Sequence, residues 1–205
     1  MRNLEPVVHP VPITALRPTQ MTVGLREVAE KRREWSRREA TKDADFLGRH
    51  MIPTVIGPKG RHFVIDHHHL ALALHQEGVP DILVSIQGDL SSVPKAGFWM
   101  VMESRAWCHP YDSQGRRRDF DDLPKSVSDL ADDPYRSLAG SLRRAGGYAK
   151  VAAPFAEFLW ADYLRHRIPA KALKTDFDKA IKRALALAVI QEAAYLPGWC
   201  GPDPE

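Results

Sequence analysis

The run Asp66-His67-His68-His69 concentrates side chains that bind anions or metals and transfer protons. It lies between an apolar triplet, residues 63–65, which predicts a strand, and the pattern of residues 70–74, which predicts a helix. Unpaired amides at a helix start carry positive partial charge and stabilise an anion. The junction therefore predicts a site for a phosphate-like ligand, with Asp66 as the expected N-cap of the helix.

Two other interpretations of this run stay open. Histidine is the commonest ligand of transition metals, so a zinc site is one of them, with His62, His75 and His109 as further ligands. Spacing argues against it, because adjacent side chains on a helix diverge by about 100°. In the other interpretation, Asp66 caps the helix and the histidines make only local hydrogen bonds. We expect no metal site.

The composition is that of a folded globular chain without a strong charge bias. The 205 residues are 44% hydrophobic and 27% charged, and the net charge is +3 from 29 basic and 26 acidic residues. Binding driven mainly by phosphate neutralisation usually needs a larger surplus, so charge does not favour a nucleic-acid partner. Two distant cysteines, Cys108 and Cys200, indicate a reducing compartment, and we interpret Cys108 as structural. With no signal-like or membrane-length apolar stretch, we expect a cytoplasmic protein without membrane contact.

Hydrophobic periodicity predicts a mixture of strands and helices in the first half of the chain and helices alone in the second. The predicted strands cover residues 11–16, 53–56, 61–66 and 82–86, and the predicted helices cover 23–46, 67–77, 94–105, 134–145, 154–167 and 177–195. Residues 57–60 favour a turn, which predicts a β-hairpin, and residues 107–124 predict a long loop. We expect an α+β fold in which residues 126–205 form a helical C-terminal subdomain packed on residues 1–125.

Four segments resemble the ParB/sulfiredoxin superfamily, and more closely its ParB-like putative nuclease branch. They are Arg17-Pro18-Thr19-Gln20, Asp66-His67-His68-His69, His109-Pro110-Tyr111-Asp112 and residues 133–140, within a match over about residues 8–168. The resemblance implies a small mixed sheet with helices in residues 1–125 and a helix start that binds nucleotide phosphates. Superfamily members include CTP-hydrolysing partition proteins, ATP-using sulfiredoxins and free-serine kinases, so the reaction stays open.

The histidine run departs from the D-G-H-H-R pattern of many members. Leu70 stands where they have a phosphate-pairing arginine, and His67 stands where they have a flexible glycine. Imidazoles, or an arginine such as Arg17, Arg136 or one of residues 116–118, are expected to replace the missing cation. The motif contains no cysteine, so we expect no sulfiredoxin activity. The kinase members use an early glutamate as base, and Glu27 is the candidate here because Gln20 cannot accept a proton.

These interpretations define one set of candidate residues. We expect Glu27, His68 and His69 to be catalytic. The expected ligand-binding residues are Arg17, Gln20, Asp66, His67, His68, His69, Tyr111, Arg136, Ser137 and Tyr148. The favoured hypothesis is a nucleotide or other phosphate ligand, with Mg²⁺ carried by the nucleotide, and phosphotransfer or phosphohydrolysis. The alternatives are a non-catalytic nucleotide-gated or DNA-associated module of the partition type, and a metal-dependent nuclease.

Two helical segments of the second half each have more than one interpretation. In residues 133–150, Leu138 and Leu142 are expected in the core, whereas a second interpretation places Tyr135, Arg136, Ser137 and Tyr148 beside the histidines as a pocket wall. A helix-turn-helix reader of DNA is a third. The broad apolar surface of residues 177–195 is covered by other helices or, as a secondary expectation, by a second copy in a homodimer.

Overall fold

The computed structural model describes residues 8–40 and 51–202, which divide into two compact units. Unit 1 comprises Met1–Val23 and Val28–Ala131, and unit 2 comprises Gly24–Glu27 and Asp132–Glu205. No helix among the described residues combines the length and the apolar character that a bilayer crossing requires.

Unit 1 is built on a five-stranded mixed sheet, which confirms the predicted α+β class. Its strands are β1 (Val8–Pro12), β2 (Arg17–Pro18), β4 (Ile52–Gly57), β5 (Arg61–Val64) and β6 (Asp81–Asp89), while the two-residue β3 (Thr22–Val23) lies outside this sheet. The strand order is β1-β6-β4-β5-β2. Strands β4 and β5 pair antiparallel, and β2 lies parallel to β5. The predicted hairpin is confirmed, and its turn contains Lys59 and Gly60 at φ of 63° and 67°.

The first half of the chain also contributes three α-helices: α1 (Leu25–Ala40), α2 (His68–Gln76) and α3 (Lys95–Ser104). Helix α2 ends at Glu77, and Gly78 follows at φ 74°, the left-handed conformation that glycine adopts after a helix. The predicted helix over 23–46 begins at Leu25 and is described to Ala40; residues 41–46 lie outside the described range. In the described part of unit 1, the predicted helices therefore hold with shifted ends.

The strand predicted over residues 11–16 is wrong in its position. β1 ends at Pro12, and Ile13–Ala15 form a 3-10 turn instead. The N–H of Ile13 still donates to the Pro80 carbonyl at 2.9 Å, and the N–H of Leu16 donates back to the Ile13 carbonyl at 3.3 Å, which closes the turn.

Unit 2 is helical. Its helices are α4 (Pro134–Arg144), α5 (Ala156–Arg165), α6 (Ala170–Thr175) and α7 (Phe177–Ala188), and the chain enters α4 through β7 (Ala131–Asp132). Trp160, Tyr163 and Leu164 are fully buried in its core. The helix predicted to reach Tyr195 ends at Ala188, since the β-branched pair Val189-Ile190 is exposed and gains nothing from continuing it.

Candidate anion-binding site

The histidine junction differs from its prediction at the first turn of α2. The helix begins at His68, and the N-cap is His67, which has φ 63° and ψ 28° and no side-chain capping bond. Asp66 is not the N-cap. Its carboxylate accepts the N–H of the next residue, His67, at 2.7 Å, and not an N–H from the first turn of the helix. His67 therefore adopts the left-handed conformation that glycine accepts freely, at a cost of about 1–2 kcal/mol.

The imidazole of His68 has a structural partner. This side chain is buried, and its Nε2 accepts the backbone N–H of Thr19 at 3.2 Å. An accepting Nε2 carries a lone pair, so the neutral ring holds its proton on Nδ1. The Thr19 hydroxyl donates to the Val64 carbonyl at 2.6 Å, which ties the end of β2 to β5.

Thr19 also brings the third predicted segment to the junction. Its carbonyl accepts the N–H of His109 at 2.8 Å, and Gln20, itself buried, forms a parallel bridge with His109. The rings of His109 and Tyr111 stack with centroids 4.4 Å apart. The structure thus brings three candidate residues from separate segments, Gln20, His68 and Tyr111, into one network, and their ligand-binding roles stay predictions.

Replacing His68 by leucine is expected to destabilise the protein by about 1–3 kcal/mol, because the Thr19 N–H loses its acceptor in a buried environment. Glutamine at this position is expected to recover part of that loss, since its Oε1 can accept the same N–H. Urea unfolding followed by circular dichroism measures both variants. Equal losses in His68→Leu and His68→Gln would show that the hydrogen bond has no role of its own.

Four predicted site residues lie in unit 2. The Glu27 carboxylate forms a two-pronged ion pair with Arg144, at 2.5 and 2.6 Å. A Cβ at Gly140 would lie 2.9 Å from this carboxylate, so glycine is what allows Glu27 to approach α4. The Ser137 hydroxyl oxygen accepts the N–H of Arg26 at 3.2 Å. These contacts anchor residues 24–27 to α4, which is a structural role for Glu27 and Ser137.

Arg136 and Tyr148 are both buried inside unit 2. The Arg136 guanidinium lies 3.5 Å from the centroid of the Phe158 ring and 3.9 Å from the Glu157 carboxylate. The Tyr148 hydroxyl donates to the Ala139 carbonyl at 3.2 Å, and its ring stacks on Trp160. Burial raises the pKa of Tyr148, so the phenol stays protonated. Both residues thus have partners within their own unit, and their ligand-binding roles stay predictions.

A cleft of about 600 Å³ in unit 1 was not predicted as a whole. It combines basic with aromatic side chains and includes one candidate residue, Arg17. The basic residues are Arg17, Lys59, Arg61, Lys95 and Lys125, and the aromatic ones are Phe63, Phe98, Trp99 and Phe120. Among the described residues that line the cleft, the single acidic one is Asp121, which forms an ion pair with Lys95. This cleft therefore has a large local excess of positive charge.

The other four cations of the cleft, Arg17, Lys59, Arg61 and Lys125, form no ion pair within the described part of the chain. The pKa of Asp121 is held below its ordinary value mainly by its hydrogen bond and ion pair with Lys95 and, to a lesser extent, by the charge of Lys125. Uncompensated positive charge in a concave, partly apolar surface attracts anions. The cleft is thus better suited to an anionic ligand than the whole-chain charge of +3 suggests.

Aromatic rings form the apolar wall of this cleft. The Phe63 and Phe98 centroids lie 4.7 Å apart, and Phe120 stacks on Trp99 at 4.9 Å with an interplanar angle of 3°. Phe98 and Trp99 are buried, whereas Phe63 and Phe120 are half-buried. Phe63 supplies apolar surface on which a planar group can stack, whereas the Phe120 ring already has Trp99 stacked on it and the Arg117 guanidinium over it at 5.5 Å from its centroid.

Arg17 links the cleft to the histidine junction. Arg17 pairs with Phe63 in the β2–β5 ladder. It lies two residues before Thr19, whose backbone N–H donates to the His68 imidazole. The other cations come from the hairpin turn, the start of α3 and the segment before residue 126, so no local pattern groups them. One signal was present in the sequence: Pro58-Lys59-Gly60-Arg61 places two cations in a tight turn.

Within residues 8–40 and 51–202, no three His, Cys, Asp or Glu side chains are arranged to hold a metal ion. His62, His75 and His109, which the zinc interpretation adds to the junction, form no such group in that part of the chain.

Cys108 is expected to be inert to thiol reagents in the folded protein. Its side chain is buried, and burial raises the pKa of the thiol to about 12, so almost no thiolate exists at pH 8. Cys200 is exposed. A colorimetric thiol assay at about pH 8 should titrate Cys200 alone until denaturant is added, and rapid reaction of both thiols in the native protein would contradict this.

Comparison with known proteins identifies a family and a similar solved structure. Residues 9–166 match the family model described as "Putative ParB-like nuclease". The crystal structure of protein Atu1540 from Agrobacterium tumefaciens is 52% identical in sequence and superimposes with a TM-score of 0.90, over 98% of this chain and 100% of that one. No curated protein matches the sequence.

Proposed function

Because the chain belongs to the family of ParB-like putative nucleases, we propose that it binds a nucleotide or nucleic-acid ligand in the cleft of unit 1. One observation carries the proposal: a cleft of about 600 Å³ is lined by aromatic rings and by four cations that form no ion pair within the described residues. Cations recognise phosphate oxygens, and aromatic faces stack on bases. The two features together favour a ligand with both groups over a simple anion.

Arg17 is the main phosphate contact in this proposal. A guanidinium offers a planar fork of donors that matches two phosphate oxygens, which a lysine does not. Arg17 is also half-buried, and the β2–β5 pairing together with the Thr19–His68 bond fixes its strand. In this proposal Arg17 takes the place of the phosphate-pairing arginine that many superfamily members have at the position of Leu70. The histidine junction holds Arg17 in position through the Thr19–His68 hydrogen bond.

The proposal is one of binding, and the candidate base Glu27 has no part in it. Both oxygens of the Glu27 carboxylate accept hydrogen bonds from the Arg144 guanidinium, so the geometry assigns this side chain to an ion pair and not to proton transfer. Turnover is tested separately, by incubating the protein with the same ligands and Mg²⁺ and measuring the release of phosphate or of shorter products.

Replacing Arg17 by alanine is expected to weaken ligand binding by about 10–150-fold, the loss typical of a charged hydrogen-bonded contact of about 1.5–3 kcal/mol. Isothermal titration with the four ribonucleoside triphosphates, their monophosphates and an oligothymidylate measures the effect. Lys150→Ala is the matched control, because Lys150 is an exposed cation of unit 2 outside the cleft.

The proposal fails if no nucleotide or oligonucleotide raises the melting temperature of the wild-type protein at millimolar concentration. It also fails if a ligand binds equally well to wild type and to the double variant Arg17→Ala/Lys125→Ala, because the phosphate then contacts another surface.

A further inference from the structure

A second basic groove, of about 340 Å³, lies wholly within unit 2, between α6 and α7. Its lining combines four apolar residues with two cations: Ile168, Pro169, Ala172, Ala180, Lys179 and Arg183. We infer that this groove is a docking site for an acidic peptide segment of a partner protein, with an aliphatic side chain in its apolar part and carboxylates beside its cations. Among the described residues, the groove shares none with the cleft of unit 1, so the inference is independent of the proposed function.

The two helices that form the groove carry a surplus of positive charge. Residues 170–188 contain five basic and two acidic residues, so this short segment has the same net charge, +3, as the whole chain. All five basic residues are exposed, and none of them forms an ion pair within the described part of the chain. They are Lys171, Lys174, Lys179, Lys182 and Arg183. Charge complementarity therefore favours an acidic partner.

The two cations that line the groove lie one helical turn apart on α7. Like charges at i,i+4 spacing, here Lys179 and Arg183, destabilise a helix, and a carboxylate between them removes that repulsion. Asp176, the acidic residue among the described lining residues, has another role, because its carboxylate caps α7 by accepting the backbone N–H of Lys179 at 2.9 Å. The Arg183 guanidinium is held by donating to the Arg167 carbonyl at 2.9 Å, and it has further N–H donors for a carboxylate.

The apolar part of the groove favours a peptide over a simple anion. Ile168 and Ala180 are buried and Ala172 is half-buried, so these three residues form an apolar floor beside the cations. A volume of about 340 Å³ is at the lower end of the range for ligand cavities and accommodates one or two side chains. An aliphatic side chain flanked by acidic ones matches both the floor and the cations.

The same lining is poorly matched to a nucleic acid or a membrane. Among the described lining residues there is no aromatic ring on which a base could stack. Four of the five cations are lysines, which lack the planar fork that binds two phosphate oxygens. Helices that lie on a bilayer insert their apolar face into it, whereas the apolar face of α7, with Ala180, Ala184 and Ala188, is buried in unit 2.

Fluorescence anisotropy on the full chain tests the inference with a labelled pentapeptide that has one leucine between two pairs of glutamates. We expect saturable binding at low salt and a clear loss of affinity as salt is raised, because the contacts are exposed charges. The same peptide with lysine in place of every glutamate should not bind. Replacing its leucine by alanine should weaken binding about 5-fold, since less apolar surface is buried on the floor of the groove.

Lys179→Glu is the most informative variant. The Lys179 side chain makes no hydrogen bond within the described residues, and a carboxylate in the first turn of α7 is favoured by the helix dipole, so the variant should fold normally. Peptide binding is expected to weaken about 10-fold, because repulsion replaces attraction. Lys150→Glu is the matched control, since Lys150 is an exposed cation of unit 2 outside the groove, and it should change the affinity by less than about twofold. Melting temperatures verify that both variants are folded.

Three results would overturn the inference. The first is the absence of saturable binding of the acidic peptide up to about 1 mM. The second is equal peptide affinity in wild type and Lys179→Glu together with a loss in Arg17→Ala/Lys125→Ala, which would place the peptide in the cleft of unit 1. The third is tighter binding of duplex DNA, or of phosphatidylserine vesicles, than of the peptide, with that binding lost in Lys179→Glu. None of these results decides whether a nucleotide binds in the cleft of unit 1, so the two proposals fail separately.

Discussion

Replacing Phe98 by alanine is expected to lower the free energy of unfolding by about 3–5 kcal/mol. Phe98 is 1% exposed, and its ring packs against Phe63 at 4.7 Å and Trp99 at 4.9 Å between centroids. Its removal leaves a cavity that Gly57, which has no side chain and faces both phenylalanines, cannot fill. Because these rings form the wall of the cleft, the variant should also lose ligand affinity while still folded.

Met100 provides the matched control for Phe98. It lies two residues further along α3 and is 72% exposed, so Met100→Ala should change stability by no more than about 0.5 kcal/mol. Urea unfolding followed by far-ultraviolet circular dichroism measures both variants. A loss below about 1 kcal/mol in Phe98→Ala would mean that the aromatic cluster is not the rigid wall that the cleft requires.

Replacing Arg165 by methionine is expected to cost about 3–5 kcal/mol, because it leaves the Asp133 carboxylate buried without its ion-pair partner. Asp133 is 2% exposed, lies 2.6 Å from the Arg165 guanidinium and caps α4 by accepting the N–H of Tyr135 at 3.0 Å. Burial already raises the pKa of Asp133 against the opposing effect of Arg165. Without Arg165, that pKa rises further.

The pH dependence of this loss has a definite sign. Between about pH 4, the ordinary pKa of an aspartate, and the raised pKa of folded Asp133, the folded state keeps a proton that the unfolded chain has released. Stability therefore falls as pH rises through this window, and Arg165→Met widens the window. Its deficit relative to wild type should be larger at pH 8 than at about pH 5, with exposed Lys174→Met as a control that shows no such change. A deficit that is the same at both pH values would contradict the buried-charge explanation.

The elements that could be predicted from sequence are those in which local and tertiary preferences agree. The hairpin of β4 and β5 follows from two apolar runs around Pro58-Lys59-Gly60, and Gly78 ends α2 because only glycine adopts its conformation without cost. α6 was not predicted, since its six residues are too few to show a period.

For the candidate site, sequence could identify segments but not their geometry. The hydrogen bonds of Thr19 to His68 and His109 bring the predicted segments together, yet Thr19 was not itself a candidate. Glu27 was chosen by position along the chain, and its pairing with Arg144, a residue distant in sequence, leaves no local signal. The cleft depends on cations from four separate segments, so only the folded sheet reveals it.

A crystal structure of the chain with a bound oligothymidylate tests most directly whether the cleft holds the phosphate ligand. We expect a phosphate within hydrogen-bond distance of the Arg17 guanidinium and a base stacked on Phe63. Phosphate bound only at the first turn of α2, beside His68 and His69, with the cleft empty, would contradict this assignment.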